Sequence, residues 1–464
     1  MFHKELKNMK KVLRKKDINQ AHSLSDLKRV LGSFDLILLG IGAIIGAGVF
    51  VLTGVAAATK AGPAVTLSYI LAGFAALFAA LSYAELASSI GGSGSAYNYA
   101  YTSFGEIFAW FIGWALLLEY TMCVSTVSVG WSGYVVNGLE ALNIHLPYAF
   151  VHEPSAGGII NLPAVFIVSL LTLFLCLGVK HSANLNAIIV VIKLLTISLF
   201  IFVAAGHVKA ENWADFFPFG YNGVAQGAAI VFFAYIGFDA LSTTAEETIN
   251  PQRNLPIGIM VSLIFCTIIY VIVACLLTGV ANYKTLNVAS PVADALLNIG
   301  YPAAAGMVAI GAIAGLTSVM LVMLFGLTRV LFAISRDGLL PKALSKIHPR
   351  TKTPMNTALI MGSLIAIIAG FVPLADLAEL VNIGTLTAFI FVCLGVIALR
   401  IKHPDLERPF KLPFNPLVPI LGILFCSYLM INLSAVTWHR FFIWMMLGLI
   451  IYFAYSFKNS NMAD

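Results

Sequence analysis

Apolar residues in this chain come in runs of about 18 to 28, broken by short polar turns, and such a run is long enough to cross a hydrocarbon core about 30 Å thick. About twelve runs are legible, near 34–58, 63–88, 105–136, 160–179, 184–206, 224–246, 255–279, 303–333, 355–373, 376–400, 415–433 and 438–457. Hydrophobic residues make up 60% of the sequence and charged residues 10%, with a mean hydropathy of +0.93. An ordinary soluble domain has roughly 45–50% and about 25%, so a water-soluble fold is excluded. The expected fold is an all-α polytopic membrane protein: one transmembrane domain over 34–457, a basic N-terminal tail over 1–33 and a short C-terminal tail over 458–464.

Basic residues are retained on the cytoplasmic side of a membrane protein. With the N-terminus inside, 21 of the 27 Lys and Arg fall on the inner face, nine of them in the N-terminal tail. The other face receives Lys60, Lys209, Lys284 and Arg440, and Lys193 and Arg329 lie within spans. Both termini are therefore expected inside, in a multi-pass protein of the cell (inner) membrane. The tail lacks a small-residue cleavage site after a short apolar core and reads as a cytoplasmic extension, not a signal peptide. The net charge of +6 is a topological signal with some attraction to anionic membrane lipids, and nucleic-acid binding is not expected. The six cysteines lie in apolar runs without CxxC spacing, so neither a metal site nor a disulfide framework is expected. No cofactor is expected.

The first span is interrupted. Gly40, Gly42, Gly46 and Gly48 place four glycines in nine residues, each costing about 1 kcal/mol relative to alanine in a helix interior. A helix of this kind either packs very closely on a neighbour or unwinds. In the sixth span, Phe233-Ala234-Tyr235-Ile236-Gly237-Phe238-Asp239 again sets a glycine at mid-depth, beside an acid. Paired interruptions at corresponding positions of two halves point to a transporter site between inverted repeats. Unwinding exposes N–H groups at the start of one half-helix and carbonyls at the end of the other. The first suit a carboxylate and the second an ammonium, so an amino acid is the natural ligand.

These interruptions, with Ser82-Tyr83-Ala84-Glu85-Leu86, Glu246-Glu247, Asn250-Pro251-Gln252-Arg253, Arg329 and Ser335-Arg336-Asp337-Gly338, give the chain a specific resemblance along nearly its whole length. It resembles bacterial members of the amino acid–polyamine–organocation superfamily, in the cationic amino acid transporter branch. The resemblance implies a LeuT-type fold: two five-span inverted repeats, about 34–206 and 224–400, and two further helices over about 415–457. It also implies that the substrate carboxylate meets main chain around Gly46, Ala47 and Gly48. The ammonium would meet carbonyls of Ile44, Phe233 and Ile236, beside Ala234. Relatives often carry Ser or Thr where this chain has Ala47, so a hydroxyl contact is missing. Met323 corresponds to a pocket-lining position, although a Met in such a helix is more often packing.

An ionised group deep in a bilayer is a functional hypothesis by default. Lys193 sits about nine residues into the fifth span, near mid-depth at about 1.5 Å per residue; the bland account is a snorkelling side chain. By resemblance it takes the place of a sodium ion, bridging carbonyls such as that of Gly42 to the hydroxyl of Thr317 or Ser318, and proton binding there could drive the cycle. Glu119 could read a substrate side chain or join a proton path. Asp239 could brace the unwound segment at Gly237, and Arg329 could close an inner gate with an acid. A structural, satisfied carboxylate is the alternative for both acids. Glu85, Glu246 and Glu247 lie where charge is cheap and read as loop anchors.

A channel would need rings of carbonyls or charges. An enzyme would need a nucleophile–base pair or a metal cluster, and neither is visible. The expected function is import of L-amino acids by proton symport, with small neutral substrates favoured and cationic ones open. Amino-acid exchange without ion coupling and a nontransporting sensor remain alternatives. A small membrane subunit or homo-oligomer is also open.

Overall fold

A computed structural model describes residue 14 and residues 29–461, apart from 93, 142, 177–179, 350 and 352. Most of the basic N-terminal tail and the last three residues of the C-terminal tail lie outside these. Among the described residues, eight helical stretches are long and apolar enough to cross a membrane, and three shorter apolar helices accompany them. The stretch Ser33–Ser89 holds two passages, which makes twelve spans.

The first span is split into Ser33–Ile44 and a helical stretch from Gly48 to Ala61. The second is Val65–Ser89, the third Glu106–Ala141, the fourth Leu162–Cys176 and the fifth Lys180–Ala205. The sixth is split into Gly220–Val231, a tight turn over Phe232–Tyr235, and Asp239–Glu247. The seventh to twelfth are Pro251–Val280, Pro302–Arg336, Met355–Phe371, Leu374–Lys402, Leu417–Ile431 and a stretch from Ala435 to Asn459. Two short helices, Ala96–Ser103 and Pro291–Asn298, are additions to the sequence reading. Each is only eight residues long, too short to leave a periodic signal.

Proline opens several of these helices, at Pro251, Pro291 and Pro302, where its missing N–H costs nothing. The packing repeats with a period of five spans. The second packs on the seventh, the third on the eighth and the fourth on the ninth. The contact of the first with the seventh has its counterpart in the sixth with the second, and that of the third with the tenth in the eighth with the fifth. The eleventh and twelfth lie outside this scheme, against the second, third and tenth.

Close packing and unwinding turn out to be joint properties of the first span, not rivals. Gly48 lies so close to the Cα and Cβ of Ala234 that no side chain fits. A Cβ on Gly42 would come within 2.8 Å of Asn186, and one on Gly46 within 2.7 Å of Val319. Between them the chain leaves the helix, with Ile45 extended at ψ 105°. In the sixth span Ile236 is extended and Gly237 has φ +125°, a conformation that L side chains rarely adopt. A Cβ there would also meet the Ala43 backbone at 2.8 Å.

The chain entering the first span is tied to the end of the sixth. The N–H groups of Val30 and Leu31 donate to Glu247 O, and that of Ile249 donates to Leu31 O, at 2.9–3.1 Å. At the same end, Glu85 accepts from Arg400 and from the Leu412 N–H, which makes it the loop anchor expected.

Replacing Gly48 by Val forces backbone apart at the contact of the two breaks, and overpacking costs about 1–3 kcal/mol. The melting point of purified Gly48→Val should fall and its substrate binding should be lost. Gly306→Ala, where nothing lies within 4 Å, should melt no lower than the parent.

Candidate functional site

The two breaks face each other at the centre of the bundle, and every residue around them is buried. Ile44, Ala47, Phe233, Ala234, Ile236, Glu119 and Met323 are each less than 5% exposed. Unwinding leaves the N–H groups of Gly46, Ala47 and Gly48 without a protein acceptor among the described residues. These are the first donors of the half-helix that follows, where the helix dipole favours negative charge.

Carbonyls of the breaks are held by a set of tyrosines that sequence reasoning missed. The Tyr270 hydroxyl lies 2.7 Å from Ile44 O and 2.9 Å from Ala234 O, one group shared by both broken helices. Tyr69 donates to Gly48 O at 3.0 Å and contacts Thr53 Oγ1 at 2.6 Å, and Tyr235 donates to Tyr69 O at 2.7 Å. All three rings are fully buried and pack on one another. A buried tyrosine normally places its hydroxyl on a partner, so a tyrosine beside a suspected break was the available signal.

The three carbonyls expected to meet an ammonium differ in how far the protein already engages them. Ile44 O is engaged by Tyr270, and Phe233 O accepts from the Ile236 N–H at 3.2 Å. Of the three carbonyls expected to meet an ammonium, Ile236 O alone has no protein donor among the described residues. The other two retain a second lone pair each.

Lys193, completely buried in the fifth span, sends its Nζ to Gly42 O at 2.7 Å, Ile45 O at 2.8 Å and Ser318 Oγ at 2.9 Å. Ser318 also reaches Gly42 O at 3.2 Å and Gly315 O at 2.9 Å. Thr317 is not part of this cluster, a correction to the sequence reading. Its hydroxyl donates to Ile313 O and accepts from the Trp131 indole, because adjacent helical residues point to different faces.

Asp239 opens the second half of the sixth span. Its Oδ1 accepts the Gly237 N–H at 3.1 Å and its Oδ2 accepts the Tyr120 hydroxyl at 2.8 Å. Glu119, beside Tyr120 in the third span, is buried against Gly384 of the tenth, and its oxygens make no hydrogen bond of standard geometry among the described residues. Met323 shares a helix face with Val319, which meets Gly46, and with Gly326, which meets Tyr120 and Ala240. It therefore points toward the breaks.

Arg329 is paired with Glu247 at 3.0 Å and Arg336 with Glu246 at 3.7 Å. The two acids taken as loop anchors thus join the eighth span to the end of the sixth, and Arg329 is nearly buried at 4% side-chain exposure.

The family model for amino acid permeases matches residues 31–452. The chain is 52% identical over 460 residues to the branched-chain amino acid permease BcaP of Bacillus subtilis (strain 168), covering 97% of this chain and 99% of that protein. It is 48% identical over 457 residues to the methylthioribose transporter of the same organism, with 97% and 99% covered. With the vacuolar cationic amino acid transporter 4 of Arabidopsis thaliana it shares 38% identity over 412 residues, 86% of this chain and 68% of that one. These relatives are membrane carriers and not enzymes. A chain matched this fully, with paired helix breaks and the superfamily's motifs, belongs to the amino acid permease family.

Proposed function

We propose that this permease imports neutral, branched-chain-type L-amino acids by proton symport and alternating access, with the substrate bound at the two breaks and both termini in the cytoplasm. The observation that carries the coupling is the set of three contacts at Lys193. An ammonium has three N–H donors and no acceptor, and three oxygens surround it. Protonated, it is fully satisfied and ties the fifth span to the first break and the eighth span. Loss of one proton leaves two donors for three acceptors and puts a lone pair against one of them. The tie then loosens, which biases the bundle between its inward and outward forms. A ligand moves such an equilibrium only through its different affinity for the two states, and a proton at Lys193 has that difference.

Substrate preference rests on the polarity of the breaks. Donors without acceptors at Gly46 to Gly48 suit the carboxylate, and Ile236 O suits the ammonium. Phe233 and Met323 give the side-chain end an apolar lining, and the branched-chain permease among the relatives supports an aliphatic side chain. The same lining would take a methylthio group, so the other Bacillus relative motivates a second substrate reading, methylthioribose. Competition between labelled leucine and each unlabelled compound in proteoliposomes separates the two.

An imposed pH gradient, inside alkaline, should drive leucine accumulation in proteoliposomes, and Lys193→Gln should keep less than about a tenth of it. Accumulation that follows a sodium gradient and ignores pH would remove the proton reading.

Tyr270→Phe removes the hydroxyl shared by the two breaks. A hydrogen bond of this kind contributes about 0.5–1.5 kcal/mol, so leucine should bind about 2- to 12-fold more weakly by equilibrium binding, with expression unchanged.

Arg329 and Glu247 are proposed to close the inner end. Arg329→Met and Glu247→Gln should each impair uptake, and the double variant should lose less than the two effects combined. Simple additivity in this cycle would show that the pair does not act as a unit.

A further inference from the structure

A cavity of about 320 Å³ is lined by Lys60, Gln226, Glu379, Asn432 and Ser434, with Ala229 and Ile230 of the half-helix that precedes the break of the sixth span. Its volume falls at the lower end of the range for small-molecule sites, about 300–1,000 Å³. By the alternation of spans it lies at the opposite end of the bundle from the Arg329–Glu247 pair, the end assigned above as outer.

Its two walls belong to different bodies. Lys60 ends the second half of the first span and Gln226 lies in the first half of the sixth, and these half-helices are locked together. Gly223 sits directly on the Lys60 carbonyl, and a Cβ on Gly227 would come within 2.8 Å of Ala61. Glu379 belongs to the tenth span, and Asn432 and Ser434 to the turn between the eleventh and twelfth.

The chemistry of the walls is complementary. Glu379 is fixed through one oxygen: Oε2 accepts from Ser434 Oγ at 2.5 Å and from the Thr437 hydroxyl at the start of the twelfth span. Its Oε1 takes no hydrogen bond among the described residues. The neighbouring acid of the same helix, Asp376, is already paired with Arg440 at 3.0 Å. Lys60 makes no ion pair among the described residues. A held carboxylate with one oxygen available therefore shares a cavity with an uncommitted ammonium and with the side-chain amides of Gln226 and Asn432.

We propose that this cavity is a second binding site, for a small zwitterion whose anionic group meets Lys60 and whose ammonium meets Glu379 Oε1. A free amino acid carries that pair of groups, and so does the headgroup of phosphatidylethanolamine. Either ligand bridges the locked half-helices to the tenth and twelfth spans, and so resists their separation at the outer end.

The full chain in nanodiscs of phosphatidylcholine and phosphatidylglycerol tests the first source through equilibrium binding of labelled leucine. A tight and a weak component are expected, and Lys60→Gln or Glu379→Gln should weaken the second at least tenfold while the first remains. Native mass spectrometry after exposure to phosphatidylethanolamine tests the second source, with at least fivefold less retained lipid expected for each variant. A variant-sensitive signal in either arm supports the site and names its source. Lys60 is exposed, so Lys60→Gln should fold even where Glu379→Gln does not. If the parent and Lys60→Gln behave alike in both arms, the proposal is overturned. Failure of the central site shows separately, as loss of the tight component in every protein.

Discussion

Inside a bilayer every backbone N–H and C=O needs a partner from the protein, because lipid offers none and each orphan costs several kcal/mol. Two spans of this permease violate the simple solution of a continuous helix, and much of the surrounding structure answers that violation. Tyr69 and Tyr270 cover carbonyls of the two breaks, Asp239 covers an N–H of the sixth, and Lys193 covers two carbonyls of the first. Among the described residues, the groups left without a partner include the donors at Gly46 to Gly48 and the acceptor at Ile236. On the proposed reading, these donors and this acceptor meet an amino acid's carboxylate and ammonium.

The glycines make that geometry possible twice over. They permit the extended and left-handed conformations at the breaks, and they remove the side chains that would separate neighbouring backbones. Gly48 on Ala234 and Gly237 on Ala43 bring the two unwound segments into direct backbone contact. One small ligand can therefore touch both. A wider interface would demand long side chains as intermediaries, with the rotamer entropy that ordering them costs.

The spans, the breaks and the deep position of Lys193 were legible in the sequence, because each rests on a local signal: apolar run length, glycine density, a charge where none is cheap. The partners were less so. Gly42 and Ser318 lie 151 and 125–276 positions from the groups they meet, and no periodicity encodes such pairings. Thr317 and Ser318 are indistinguishable by residue type, and only the rotation of the eighth span decides between them. Tyr270 was passed over because a tyrosine in an apolar span looks like core until its hydroxyl is placed. Glu247 was read from its depth as an anchor, whereas Arg329, itself nearly buried, draws it into a pair.

The backbone bonds joining Val30, Leu31 and Ile249 to one another's strands of chain have a mechanical meaning. They clamp the entry to the first half-helix onto the exit of the sixth, on the same side of the bundle as the Arg329–Glu247 pair. A lever pinned at that point cannot tilt alone. Either the two half-helices at that end move together, or the clamp must open before one of them tilts.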